Sequence, residues 1–120
     1  MREKLIQSQV QGVLNAKNAP SRVFRNNVGG YHTADGGYIR YGLGVGSADL
    51  IGFVRRIITS DMIGMTLAQF LAVELKTPTG RLSVQQKAWL NLINTSGGLG
   101  MVMRSPAEAE DFLEEISHGK

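Results

Sequence analysis

Three short stretches of this 120-residue chain carry side chains whose types and spacing could do chemistry. Val73-Glu74-Leu75-Lys76 places two opposite charges in an otherwise apolar run, Phe70 to Lys76. Side chains alternate along a strand, so Glu74 and Lys76 share one face while Val73 and Leu75 point to the other. Burying such charges is costly unless they are satisfied. A local ion pair at a strand end, beside the turn at Pro78, is the plainer reading and is worth little when exposed. Gly46-Ser47-Ala48-Asp49-Leu50-Ile51-Gly52 sets a carboxylate at the start of an apolar strand, where Asp also serves as a turn residue. An Asp from one strand and a Glu from the next could converge on one hard cation. Two carboxylates, a backbone carbonyl and waters suit magnesium's preference for oxygen ligands. A neighbouring lysine could orient or help deprotonate a water, or neutralise charge developing on a phosphate. Ser83-Val84-Gln85-Gln86 reads first as a capping box. Gln86 also projects from the first helical turn toward the strand of Glu74, and both readings can hold.

Composition narrows the alternatives. A hydrophobic share of 42% against 19% charged residues predicts one compact α/β domain rather than a disordered chain. No apolar run approaches the roughly 18 residues of a membrane span, and Met1-Arg2-Glu3-Lys4 does not lead into a signal-like stretch. Cysteine is absent, which excludes disulfides, thiolate zinc sites and cysteine nucleophiles. With His32 and His118 the only histidines, any metal must be held mainly by oxygen. Residues 106–120 hold five carboxylates against Lys120, net −4, which leaves 12 basic against 5 acidic residues, +7, in the rest. A basic body with a segregated acidic helix suits a polyanion binder, although chance asymmetry of a solvated surface gives the same pattern.

The elements that must position these residues follow from periodicity. Leu5, Ile6, Val10, Val13 and Leu14 recur near every 3.6 residues and predict a helix over 2–15. Strands are expected over 22–28, on either side of Asp35-Gly36-Gly37, over 48–54, over 70–76 and over 99–103, with a turn at 59–64. Helices are expected from Ser83 to a glycine exit at Gly97 and after Ser105-Pro106-Ala107-Glu108. The helix joining Lys76 to Leu99 favours a parallel crossover and hence a mixed sheet.

In this order and spacing the motifs resemble the PD-(D/E)xK nuclease superfamily, and within it the stand-alone VRR-NUC domains common in phage genomes. Asp49 matches the aspartate of the family's Gly-x-Pro-Asp segment, with Gly46 ahead of it and Ala48 in place of the proline. Glu74-Leu75-Lys76 matches Glu-x-Lys; Ser83, Gln86 and Trp89 match Ser-x-x-Gln-x-x-Trp; Glu3 matches a glutamate of the first helix, with Gln7 one turn on. Alanine leaves the aspartate in place, so the departure is tolerated. The segment from Ile57 to Thr66 is longer than the shortest family members need, and Asp61 there is read as a turn residue.

The resemblance implies a restriction-endonuclease-like core, a mixed central sheet flanked by helices in the order α-β-β-β-α-β-α. It implies an endonuclease dependent on magnesium or manganese, ligated by Asp49, Glu74, the Leu75 carbonyl and Glu3, the last through water or at a second metal position. Lys76 would position the attacking water, and Gln86 would support Lys76 or the scissile phosphate. Stand-alone members look like homodimers that cut branched DNA such as Holliday junctions, since symmetric incision needs two centres related by a twofold axis. They would act in a bacterial host's cytoplasm. Phosphate contacts are expected from Arg22, Arg25, Asn26, Asn27, Arg40, Arg55, Arg81 and Lys87. Tyr31, Tyr38 and Tyr41, interleaved with glycines, could stack on unpaired bases or pack within a hairpin or subunit interface. His32 and His118 are read as surface residues. A non-catalytic DNA-binding or regulatory module on the same fold, or a phage structural protein, are the competing readings; the intact Asp49, Glu74 and Lys76 argue against the first.

Overall fold

Hydrophobic periodicity and cap residues set most of the elements. The computed structural model describes residues 2–118, with side chains described for 3–116, so the surface placement expected for His118 lies outside those side chains. The order is α1 (Arg2–Leu14), β1 (Ser21–Arg25), β2 (Gly29–His32), β3 (Tyr38–Tyr41), β4 (Leu50–Val54), a 3₁₀ turn (Ser60–Met62), β5 (Leu71–Leu75), α2 (Val84–Thr95), β6 (Leu99–Met103) and α3 (Pro106–His118). The protein is α/β. The expected mixture of antiparallel and parallel pairing is present, distributed over three two-stranded ladders, β1–β4, β2–β3 and β5–β6. Among the described residues no ladder within either unit joins these pairs into one central sheet. The chain forms two compact units that divide after Thr59.

In the first unit, α1 carries Glu3 in its opening turn, where a carboxylate complements the helix dipole. Its exit is tied down by β1. The Ser21 hydroxyl donates to the Leu14 carbonyl (2.7 Å). The Asn15 side chain imitates a strand edge, donating to the Val23 carbonyl (3.0 Å) and accepting from the Val23 N–H (2.7 Å). The first satisfies a carbonyl that the helix end leaves unpaired, and the second satisfies the outward-facing backbone groups of Val23 in β1. Strand β1 pairs antiparallel with β4 from Ser21↔Val54 to Arg25↔Leu50. The Asn26 N–H donates to the Asp49 carbonyl (2.9 Å), so the pairing runs one step beyond β4 to the candidate aspartate.

Strands β2 and β3 form a separate antiparallel hairpin, from Gly29↔Tyr41 to His32↔Tyr38. Its turn closes through Thr33 N–H to the Gly37 carbonyl (2.9 Å) and Gly37 N–H to the Thr33 hydroxyl (2.9 Å). The Asp35 carboxylate accepts from the Thr33 hydroxyl and from the Gly37 N–H, and these bonds hold its carboxyl below the ordinary range. A depressed native pKa means the contribution to the turn is present above the unfolded value and is lost as pH falls through the native one. In acid titrations followed by NMR, the Gly37 amide is therefore expected to move below the ordinary aspartate range. Asp35→Asn is expected to abolish that step, and a midpoint at the ordinary value would contradict it.

In the second unit, β5 and β6 pair in parallel from Leu71↔Leu99 to Leu75↔Met103, joined by α2 as the crossover. Gln86 of the helix reaches Glu74 and Leu90 approaches Gly100, so the helix covers the face that, by register and alternation, also holds Ala72 and Val102. A Cβ at Gly100 would stand 3.0 Å from the Leu90 carbonyl, so glycine lets the helix approach the strand closely. Ile93 is fully enclosed, and with Leu90 it forms the buried apolar centre among the described residues. The opposite face presents Leu71, Val73 and Leu75, all exposed. The charged side of β5 is thus turned inward against a helix, and the apolar side is the more open one. α3 starts at a Ser105 cap: the hydroxyl accepts from the Glu108 N–H (3.3 Å), and Glu108 accepts from the Arg104 N–H (2.6 Å).

No helix among the described residues is long and apolar enough to cross a membrane.

Candidate functional site

Strand alternation brings Glu74 and Lys76 to one face of β5, and the start of α2 closes over them. Lys76 Nζ lies 4.0 Å from Glu74 Oε2, with the two side chains 21% and 31% exposed. Gln86 supplies the third member, its Nε2 donating to Glu74 Oε2 (2.8 Å). The same amide completes the capping box: Gln86 Oε1 accepts from the Ser83 N–H (2.9 Å), and the Ser83 hydroxyl accepts from the Gln86 N–H (3.1 Å). Both sequence readings of Gln86 therefore hold, and one amide performs both tasks. Its partner is Glu74 rather than Lys76. The contact fixes one carboxylate oxygen by a charge-assisted bond and leaves Oε1 for another ligand.

Arg104 escaped the sequence reading. It follows β6 immediately, and the Leu75↔Met103 register sets it beside Lys76, whose N–H donates to the Met103 carbonyl (3.2 Å). Arg104 Nη1 donates to the carbonyls of Thr77 (2.7 Å) and Gly80 (2.7 Å). The turn that follows Lys76 is thereby clamped from the neighbouring strand. Only the pairing of β5 with β6 could have revealed this.

Ser83→Ala is expected to cost about 1 kcal/mol, the usual worth of such a cap. Gln86→Ala is expected to cost more, because the cap and the tether on Glu74 go together. Paired denaturant melts check the order, and equal losses would show that the Glu74 contact adds nothing to stability.

Asp49 belongs to the first unit. It is exposed and lines a polar cleft of about 260 Å³ with Gln7, Arg25, Asn26, Asn27, Val28, Gly46 and Ser47. Asn26 shapes this cleft. Its side-chain amide donates to the Ser47 hydroxyl (2.7 Å) and the Ala48 carbonyl (2.9 Å), and its Oδ1 accepts from the Leu43 N–H (3.1 Å). One side chain thus pins the glycine-rich loop that delivers Asp49. Sequence reading placed Asn26 only among phosphate contacts; an Asn after a strand gives no local sign of a partner 21 residues away. Glu3 lies one turn before Gln7 on α1.

Of the remaining basic candidates, Arg22 Nη1 already donates to the carbonyls of Ala16, Ala19 and Ser21, and Arg55 Nη2 donates to Ala19 (3.1 Å). Both brace the 15–20 loop. Arg81 and Lys87 are exposed near the start of α2, and Arg40 is exposed on the hairpin. The structure brings together Glu74, Lys76 and Gln86, and separately Asp49, Arg25 and Asn27. Among the described residues no three His, Asp or Glu side chains gather as a ready ligand set.

Compared with known families, the chain matches the VRR-NUC domain over residues 14–107. The chain belongs to the VRR-NUC family. The matched span contains Asp49, Glu74, Lys76, Gln86 and Trp89 and leaves Glu3 outside. VRR-NUC membership makes it a nuclease of the restriction-endonuclease-like superfamily, acting on nucleic acid. No curated protein and no solved structure matches the chain.

Proposed function

We propose that this VRR-NUC protein is a divalent-metal-dependent DNA endonuclease that hydrolyses phosphodiester bonds in branched DNA, four-way junctions above all. The observation that carries the reading is the Glu74–Lys76–Gln86 constellation: a half-buried carboxylate tethered through one oxygen, with an ammonium group 4.0 Å away. An ion pair kept only for stability does not need a side-chain amide, itself part of a helix cap, to orient the carboxylate.

The donor chemistry fits a hard cation. Glu74 Oε1, the Asp49 carboxylate and the Leu75 carbonyl would hold magnesium or manganese, with Glu3 acting through water. When bound, such an ion polarises the phosphodiester and stabilises the leaving oxygen. Lys76 orients the attacking water and balances charge on the phosphate. Gln86 keeps the Glu74 carboxylate in one rotamer. Arg104 holds the turn after Lys76, which limits the freedom of that side chain's backbone. Arg25 and Asn27, on the rim of the Asp49 cleft, with Arg40, Arg81 and Lys87, contact phosphates. The two compact units act as one nuclease domain; the VRR-NUC match running across both supports this. Two copies related by a twofold axis would supply the paired incisions that a junction requires.

The test is a panel of four-way junction, flap, nicked and plain duplex DNA with and without magnesium or manganese, at matched salt. Cutting that needs the metal and prefers the junction supports the proposal. Binding without cutting under every metal would leave a non-catalytic DNA-binding module in its place.

A further inference from the structure

The β2–β3 hairpin carries an arrangement that the catalytic proposal does not use. Gly29 and Gly30 face the tyrosines of β3, and a Cβ at either position would overlap the ring of Tyr41 or Tyr38. The rings therefore lean across the ladder over bare backbone. By the register, Gly30, His32, Tyr38 and Arg40 share one face, and Gly29, Tyr31, Ile39 and Tyr41 share the other. On the first face Tyr38, though as exposed as the other two tyrosines, has ring partners: His32 meets it edge-on at 4.7 Å, and Arg40 Cζ lies 5.7 Å from its centroid. On the second face Tyr31 and Tyr41 are each about half exposed, 54% and 48%. With Ile39 between them, 45% exposed, these rings form a continuous half-exposed strip on one face of the ladder.

The chain enters β2 from Arg25, Asn26, Asn27 and Val28, and leaves β3 for Gly46, Ser47 and Asp49; all of these line the Asp49 cleft. Both feet of the hairpin therefore run directly into segments that line this cleft. The unit is strongly basic, with eight Lys and Arg against three Asp and Glu in residues 1–59. This charge draws a polyanion toward the unit, and on the hairpin Arg40 carries it.

We infer that the Tyr31–Tyr41 face of this hairpin is a stacking platform for unpaired bases at a DNA branch point, with Arg40 on the opposite face taking a neighbouring phosphate. Aromatic side chains accept any base through its π face, so the platform reads strand separation rather than sequence. It would select DNA with unstacked bases and deliver the adjoining backbone to the Asp49 cleft. The inference rests on the nuclease reading for its purpose, but its test does not require cleavage.

Binding is measured in EDTA by fluorescence anisotropy, with 2-aminopurine at an unpaired position of gapped DNA or at the exchange point of a four-way junction, and with a fully paired duplex of equal length. Tyr31→Ala with Tyr41→Ala is expected to weaken binding to the gapped and junction DNA roughly tenfold or more, to leave duplex binding within about twofold, and to abolish 2-aminopurine quenching. The phenylalanine pair, which keeps both rings, is expected to restore wild-type values. Arg40→Ala is expected to weaken all three DNAs and flatten the salt dependence. Equal loss on duplex and gapped DNA, or no loss on either, overturns the inference, as does a halved mass in sedimentation, which would make this face a subunit contact. Should wild-type protein cut nothing in manganese while the alanine pair still loses unpaired DNA selectively, the nuclease proposal falls and the platform stands.

Discussion

Cleavage of junction DNA by a Glu74→Gln variant is expected to fall by at least two to three orders of magnitude, with DNA affinity unchanged. The expectation follows from how Glu74 is held. Glutamine is nearly isosteric, and its Oε1 can still accept from Gln86 Nε2, so the tether seen at 2.8 Å survives the substitution. Only the negative charge disappears, and with it a ligand for a hard cation and the counter-charge of Lys76, 4.0 Å away. Lys76→Ala should bring a loss of similar order, since positioned charge and proton-transfer groups are each worth about 10²–10⁴ in rate. The two losses should not add, because both groups serve one event. Single-turnover cleavage in manganese reads the rate, and anisotropy reads binding. Cutting that persists undiminished in both variants would place the centre elsewhere or trace the activity to a contaminant.

Asp49→Asn is the second substitution with a large expected effect, and its readout is metal rather than DNA. Titration calorimetry with manganese on the wild-type chain is expected to show binding that weakens by about 100-fold or disappears in the variant. Loss of a ligand should exceed the 10–100-fold that groups behind the ligands usually contribute. Asn26→Ala provides the comparison. It leaves the carboxylate and removes the three hydrogen bonds that pin residues 43–48, so an intermediate loss of roughly tenfold is expected. Calcium should bind the wild-type chain without supporting cleavage. Equal manganese affinity in wild type and Asp49→Asn would remove Asp49 from the metal site and leave Glu74 without its proposed partner.

Much of the local structure was legible in the chain. Helix α1 is expected over 2–15 and runs Arg2–Leu14; the strand expected over 99–103 is β6; the starts at Ser83 and Ser105 are caps as read. Strand ends were less so. The strand expected over 22–28 is Ser21–Arg25: the Asn26 N–H adds one last bond to the Asp49 carbonyl, and beyond it the Asn26 side chain is engaged with the 43–48 loop. The strand expected over 48–54 begins at Leu50, because residues 44–47 form a turn and the Asn26 side chain, not a strand partner, takes the Ala48 carbonyl. A competing side-chain partner decides where a ladder stops, and that partner is invisible in a short window.

The candidate site divides the same way. Alternation along β5 settled from the sequence that Glu74 and Lys76 share a face, and a three-residue interval settled that Ser83 and Gln86 cap one another. These are rules of one turn or two strand positions, carried by backbone geometry alone. Tertiary structure alone decided that the charged face of β5 lies under α2, that Gln86 grips Glu74 across 12 residues, and that Arg104 clamps a turn 24 to 27 residues before it. Those contacts depend on the length of the crossover and the register of β5 against β6, which no spacing within a single element encodes.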